Sequence, residues 1–490
     1  MPLRPKVELL TREEVSDIVA GAYDLLKNMG IMVDNEEALR ALWDAGAKVD
    51  PVKKVAYLGA DLIDKARKNA PMSISLYNQA GEKALSLEGD SVHFVTDSAT
   101  VKVLDSESRE IRKATTDDLV QMVKLAQNLE YVDFVTAPVV PGDMSRTIGD
   151  VLRFYLILNH CTKPVFGGAF SREGLLIQKE LLAILAGGEE NLREKPRAVM
   201  ASNPSAPLQW SKTSVSNLVD CARYGIPVMI IPIPLAGATT PATLVGTALE
   251  HTAECLSGVV ISQCISPGAP VIFGGGAVTF DMKKGTNCEG AIETRMMAIA
   301  TNSQVGKFLN LPTAANCGRS DSKIVDAQAG MESSLGFLLG GLAGINMIRG
   351  VGMLEHGGTI SIEKMAFDND VCGMVYRLLR GLDFSTETLA VEFIKEMGHE
   401  ANGILNSMHT FSWFKKEQFF PSPAIDRASR REFSESGGKD TFERSKEVVR
   451  EKLARCRPVE ISGDKLSEMK KVVRDYARRM GEGAIPGYLE

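Results

Sequence analysis

The sequence predicts a parallel α/β fold made of repeated strand–helix units, either a (β/α)8 barrel or, on pattern alone, a doubly wound open sheet. Three observations point there. Seven short apolar runs (Val132 to Val140, Pro164 to Phe170, Arg197 to Ser202, Pro227 to Pro234, Ala269 to Gly275, Leu311 to Asn316 and Ile345 to Val351) start roughly 30 to 42 residues apart, the length of one strand–helix unit. Runs such as PVMIIPIPL and APVIFGGG are apolar throughout, as strands buried on both faces must be. The stretch Leu311 to Lys364 reads as strand, loop and helix twice over, with polar residues gathered at the carboxyl end of each strand, where parallel barrels hold their chemistry.

Taken in order, the chain opens with a capping box, Thr11 to Glu14, and a helix whose apolar residues Val15, Ile18, Val19, Ala22, Leu25 and Leu26 recur at helical spacing until Gly30. Asn35 is placed to cap a second helix. A third runs from about Ala60 to Ala70 and stops at Pro71. The following residues alternate and turn as antiparallel strands do, so residues 1–115 are expected to form a small α+β cap. The barrel is expected over 116–365. Its eighth strand is either the Thr359 to Ile362 run or a strand contributed from before Thr116. Small residues crowd together at Gly336, Gly340, Gly341, Ala343 and Gly344, which predicts a close approach of two backbones. Residues 366–490 turn helical and charged, with a polar loop at SESGGKD and a last amphipathic helix over about Lys465 to Met480. This helical extension is expected to close on the barrel or on another subunit.

Composition excludes several function classes. With 490 residues and 44% hydrophobic content the chain can bury a large core. A formal net charge of −6 supplies no basic field for a phosphate backbone, so nucleic acid is not expected as a partner. No apolar run reaches the roughly 18 to 20 residues that span a bilayer, and the start lacks the apolar core of a signal peptide, so a cytoplasmic location away from membranes is expected. The eight cysteines are scattered, without a CxxC pair, and read as buried thiols. The six histidines form no HxH or HExxH, and no HxC with a later cysteine, so no metal is expected. Gly274, Gly275 and Gly276 lack the spacing of a phosphate or dinucleotide loop and read equally as a tight turn.

The run DAQAGMESS, followed by LAGINM, a glycine-rich turn and SIEK, resembles the trimethylamine methyltransferase family, corrinoid-dependent barrels that demethylate methylated amines. AGAKVD, CTKPV, LAGATTPATLVGTALEH and ISPGAPVIFGG with GAIETRMM fit the same pattern in the same order, so the likeness covers nearly the whole chain. The resemblance implies the barrel rather than the open sheet. It also implies transfer of a methyl group from a quaternary amine, such as glycine betaine or a related betaine, to a cob(I)alamin-type corrinoid on a cognate partner protein. The family's trimethylamine enzymes carry pyrrolysine in the barrel. This sequence has only standard residues, which argues against trimethylamine as the substrate. A quaternary amine leaves as a neutral tertiary amine and needs no Lewis acid, which agrees with the absence of a zinc pattern. The alternatives are a non-catalytic betaine-binding subunit or another barrel enzyme, such as a zinc-dependent thiol methyltransferase. A homo-oligomer, dimer or higher, is expected.

The site candidates come from strand ends. His356, set between Glu355 and two glycines after the seventh apolar run, is expected to orient the substrate or hold its carboxylate. Glu332 is the second catalytic candidate. Asp326 and Gln328 lie on the same helix, where Asp326 also fits a helix cap, and with Arg319 and Glu355 they are expected to bind substrate. A trimethylammonium group offers no N–H donors and is held by aromatic faces, so Phe166, Phe170 and Phe280 near strand ends are the candidate cage.

Overall fold

The computed structural model describes residues 4–97, 99–399 and 401–482. Eight parallel strand positions close into a ring. They are β1 (His93–Thr96), β2 (residues 134–135), β3 (Val165–Gly167), β4 (Ala198–Ser202), β5 (Val228–Ile230), β6 (Val271–Phe273), β7 (Ala314–Ala315) and β8 (Met347–Val351). Each pairs in parallel with the next, and β8 pairs with β1 through Met347 opposite His93 and Ile348 opposite Phe94. Seven of the eight coincide with the apolar runs.

The eighth is β1, contributed from before Thr116. The barrel therefore draws a strand from the segment expected to be cap. Residues Thr359–Ile360 instead join an outer sheet at the barrel mouth, antiparallel to Met353–Leu354 and parallel to Lys102–Leu104. The short run HFVT is amphiphilic in composition, and its identity as a barrel strand comes only from its partners on both sides.

Helices cover the ring: α1 (Thr116–Gln127), α2 (Gly149–His160), α3 (Arg172–Ala186), α4 (Lys212–Tyr224), α5 (Leu244–Ile265), α6 (Ile292–Ala298, continuing as a π-helix over Ile299–Val305), α7 (Ala327–Ala343) and α8 (Ile362–Arg380). The last of these runs unbroken through the 365/366 boundary and ends at Gly381, with Gly373 inside it packed against Phe419 and Tyr131. The predicted close approach is at Gly336. A Cβ there would lie 1.7 Å from the Cys317 carbonyl oxygen, so only glycine lets α7 sit against the end of β7.

Inside the ring, Val95, Phe134, Phe166, Val199, Met229, Ile272, Ala314 and Met347 pack against Ile74, Leu76, Leu85 and Leu87. Those last four belong to the hairpin Ile74–Tyr77 and Lys83–Leu87, which plugs the amino-terminal end of the barrel. Tyr77 N donates to Pro196 O and Gln79 N to Thr162 O, both just before barrel strands. The N-terminal helices Arg12–Asn28 and Glu36–Asp44 open on the predicted caps Thr11 and Asn35. With Ala60–Asn69 they pack along α5. The C-terminal helices Thr441–Ala454 and Gly463–Arg479 lie outside the ring, on α8 and α1 and on α3 and α2 respectively.

Candidate active site

Strand alternation sets the site. Successive side chains point to opposite faces, so the residue two beyond each core position points inward one layer higher. Two beyond Val95, Phe134, Phe166, Val199, Met229, Ile272, Ala314 and Met347 stand Asp97, Thr136, Gly168, Ala201, Ile231, Gly274, Asn316 and Arg349. Charge enters this layer at Asp97 and Arg349, with Thr136 and Asn316 polar beside them, while the other four positions stay small or apolar.

The charged residues form one buried cluster. Arg319, from the loop after β7, donates to Asp97 through Nε at 2.5 Å and Nη2 at 3.2 Å, and to Glu289 through Nη1 at 2.7 Å. Arg349 donates to the same Asp97. Burial works against the charge on Arg319, but Asp97 and Glu289 more than offset it and hold the guanidinium firmly charged. Burial lowers Arg349, with Asp97 opposing. Arg295, fully buried on α6, donates to the carbonyls of Asn316 and Arg319 at 3.0 and 2.6 Å, which fixes the turn that presents Arg319. One oxygen of Glu289 and the side-chain amide of Asn316 are buried without a hydrogen-bond partner.

Beside this cluster lies a cavity of about 280 Å³ between β2, β3, β4 and β5. Its aromatic walls are Phe154, Phe166 and Phe170, its cations Arg153, Arg319 and Arg349. Phe166 is buried beneath the Arg349 guanidinium, 4.5 Å from its ring centre. Phe170 is 57% exposed at the rim. Two of the three proposed cage aromatics therefore line the cavity. Phe280 does not, because it lies on the hairpin Val278–Asp281 and Thr286–Cys288, paired with Asn287.

The other candidates build the support of Arg319. The Glu332 carboxylate accepts hydrogen bonds from Ser320 Oγ at 2.6 Å, Asp321 N at 2.7 Å and Gln328 Nε2 at 2.8 Å, so it ties α7 to the loop that presents Arg319. Asp326 caps α7 through Ala329 N and also accepts from Ser322 Oγ. His356 Nδ1 lies 2.8 Å from Asp321 Oδ1, and its Nε2 is 3.4 Å from Lys323 Nζ. Its backbone N donates to Ser320 O, as Glu355 N does to Ser322 O, while the Glu355 carboxylate takes Lys102 and Thr359. Glu355 and His356 both sit in the left-handed region, at φ 49° and 57°. That conformation is costly for two consecutive non-glycine residues, and the two loops hold it by clasping each other. Neither His356 nor Glu332 lines the cavity.

Sequence reading missed Asp97, Arg153, Glu289, Arg295 and Arg349. Asp97 and Arg349 were within reach, since each stands two residues past a core strand position. Arg153 stands in the apolar run Val151 to Leu158, which marks its helix as buried all round, whereas nothing local distinguishes Arg295 from a solvent-facing arginine. Gly275, at φ 83°, would place a Cβ 2.3 Å from Pro232 O, so the glycine run is a tight turn. Cys317, next to the site, is pushed up to about 11 by burial and is a neutral thiol at pH 7. Among the described residues no three His, Cys, Asp or Glu side chains converge as a metal site.

Comparison with known proteins bears on the chain as a whole. The family model described as trimethylamine methyltransferase (MTTB) matches residues 3–484. A trimethylamine methyltransferase MttB from Desulfitobacterium hafniense is 32% identical over 89% of this chain and 87% of its own. That from Methanosarcina thermophila is 31% identical over 95% and 96%. A glycine betaine methyltransferase of D. hafniense is 29% identical over 86% and 87%. Among solved structures, the monomethylamine methyltransferase MtmB of Methanosarcina barkeri superposes with a TM-score of 0.52 at 12% identity, covering 93% of this chain and 90% of that one. At that identity the likeness speaks to the fold alone, and the fold it supports is the barrel.

Proposed function

We infer, because this chain belongs to the trimethylamine methyltransferase family, that it moves a methyl group from a quaternary amine, glycine betaine or a related betaine, to a corrinoid carried by a separate protein. The observation behind this reading is the cavity at the barrel mouth, walled by Phe154, Phe166 and Phe170 and open at its rim. Aromatic faces hold an ammonium that has no N–H to donate.

Val101, Phe170, Ile233, Met282 and Ile324, in the loops after β1, β3, β5, β6 and β7, are all exposed and give the mouth apolar side chains for a corrinoid-bearing protein to cover. A reduced corrinoid presented there supplies a cobalt nucleophile for the methyl carbon. The chain's own part is to bind and orient the ammonium, to exclude water, and to keep its position through the Asp97, Arg319, Arg349 and Glu289 cluster. A quaternary ammonium departs as a neutral tertiary amine, so no residue has to deliver a proton. Glu332, Gln328, Asp326, Glu355 and His356 act as positioning residues for Arg319 in this reading.

The assembly is read as a homo-oligomer. The helices Thr386–Leu389, Val391–Met397 and Met408–Glu417 bury no side chain, and Leu382, Phe384, Leu405, Met408 and Phe411 are each at least 70% exposed. Eight free thiols support a reducing, cytoplasmic setting. Among the described residues no helix is long and apolar enough to cross a membrane.

The test mixes the protein with cob(I)alamin and a panel of betaines and methylated amines, and follows the visible spectrum. Methylcobalamin should appear with at least one betaine. Substrate binding with no transfer to free cobalamin or to any corrinoid protein would instead support a non-catalytic binding subunit.

A further inference from the structure

Three arginines line the cavity, and two are matched by carboxylates of the chain itself. Asp97 grips Arg319 and Arg349, and Glu289 takes the remaining edge of Arg319. Arg153 is different. It projects from α2 and is 6% exposed, with Nη2 donating to the Ala137 carbonyl at 3.0 Å. Its Nε is buried without a hydrogen-bond partner. The Phe170 ring lies over the guanidinium, 5.6 Å to its centre. The one acid beside it, Asp150, is committed to backbone donors: Oδ1 accepts from Val151 N at 2.9 Å and Oδ2 from Phe170 N at 2.8 Å. A guanidinium taken out of water without a carboxylate in hydrogen-bond reach is expensive to keep, yet this one is held at the wall of a ligand-sized space.

We propose that Arg153 receives the carboxylate of the substrate, so that the site selects a betaine-type zwitterion over a methylated amine that lacks an anionic group. The proposal rests on the methyl-transfer reading above and names the substrate class for the same site. Charge balance favours it. Asp97 and Glu289 are taken by Arg319 and Arg349, and both oxygens of Asp150 are taken by backbone N–H groups. A plain monocation therefore meets no carboxylate free to pair with it. A zwitterion meets an unfilled guanidinium for its anionic end and aromatic walls for its methyl groups.

Calorimetric titration of the full chain with glycine betaine, proline betaine, carnitine, γ-butyrobetaine, choline and tetramethylammonium tests this. At least one betaine should bind roughly tenfold or more tightly than either carboxylate-free ammonium. Arg153→Gln should weaken that betaine by about 30- to 100-fold, the effect of one lost charge-assisted pair, and leave choline and tetramethylammonium within about threefold. Arg153→Lys keeps the charge without the planar edge and should recover part of the loss. If Arg153→Gln does not fold, Arg153→Lys decides the matter: a lowered betaine-to-choline preference supports the proposal and an unchanged one overturns it. Equal losses for betaine and choline, unchanged betaine affinity, or a parent protein that binds no betaine also overturn it. Methyl transfer is read separately. Transfer from choline or trimethylamine but from no betaine keeps the methyltransferase reading and removes this one. Arg153-dependent betaine binding with no transfer from any amine does the reverse.

Discussion

Replacing Asp97 by Asn tests whether the mouth of the barrel is held by charge. Asp97 is fully buried and accepts hydrogen bonds from both Arg319 and Arg349. Asparagine keeps its shape but loses the charge, and its amide N–H group faces a guanidinium N–H. Removing one partner of a buried pair costs about 3–5 kcal/mol. Because Arg319 keeps Glu289 at 2.7 Å, the loss should stay near 4 kcal/mol rather than double. Against a total stability of roughly 5–15 kcal/mol, that is a large fraction. Urea unfolding followed by tryptophan fluorescence should show a lower midpoint at unchanged slope. Adding Arg349→Met to Asp97→Asn removes a buried guanidinium whose charge Asp97 no longer offsets, so the double variant should recover about 2 kcal/mol relative to additivity. A loss below about 1 kcal/mol, or no coupling between the two sites, would show that the cluster is solvated or exchangeable and that the geometry described here does not hold the site.

Three further outcomes follow from named contacts. Glu254, buried on α5 and accepting from Leu208 N at 3.0 Å, is raised by burial to about 8. The folded chain therefore holds a proton that the unfolded chain has released. Stability from this group is fully present below the ordinary carboxyl pKa and falls as pH rises toward 8, by up to roughly 1.4 kcal/mol per pH unit. Glu254→Gln should flatten that slope and be more stable than the parent at pH 9, and an unchanged slope in denaturation series at pH 5, 7 and 9 would count against it. Gly336→Ala drives a Cβ to 1.7 Å from a backbone oxygen and should cost about 3 kcal/mol or abolish soluble expression. Equal thermal stability of variant and parent would refute that packing. For Glu332→Gln, the loop that presents Arg319 loses a charged acceptor, so substrate affinity should fall about tenfold while His356→Ala, whose ring meets that loop only at Asp321 and Lys323, costs less. The reverse order in titration would return His356 to a direct role.

How far the chain could be read in advance depends on the range of the interaction concerned. Strand positions, the caps at Thr11 and Asn35, the tight turn at Gly275 and the close approach at Gly336 are set by neighbours in sequence: buried strands must be apolar, orphaned N–H groups need acceptors, and crowded backbones need glycine. These were legible, as was the family likeness carried by motifs in order. The eighth strand was not. The sequences HFVT and TISI suit a strand equally well, and the choice between them is made by hydrogen bonds to residues about 40 and 250 positions away. The site divides the same way. Arg319, Phe166 and Phe170 announce themselves at strand ends, whereas His356 and Glu332 look catalytic in sequence because polar residues at strand ends serve as supports as readily as reagents. Ser320, a partner of Glu332, lies only twelve residues before it in the loop leading into the same helix, and Asp321, the partner of His356, is brought alongside by the parallel pairing of β7 with β8. Asp97, Glu289 and Arg349 become one cluster, and Arg153 a cation facing a cavity, only in three dimensions. Local sequence decides which element a residue belongs to, but the ring decides which charges share a low-dielectric space, and there their pairing sets the chemistry.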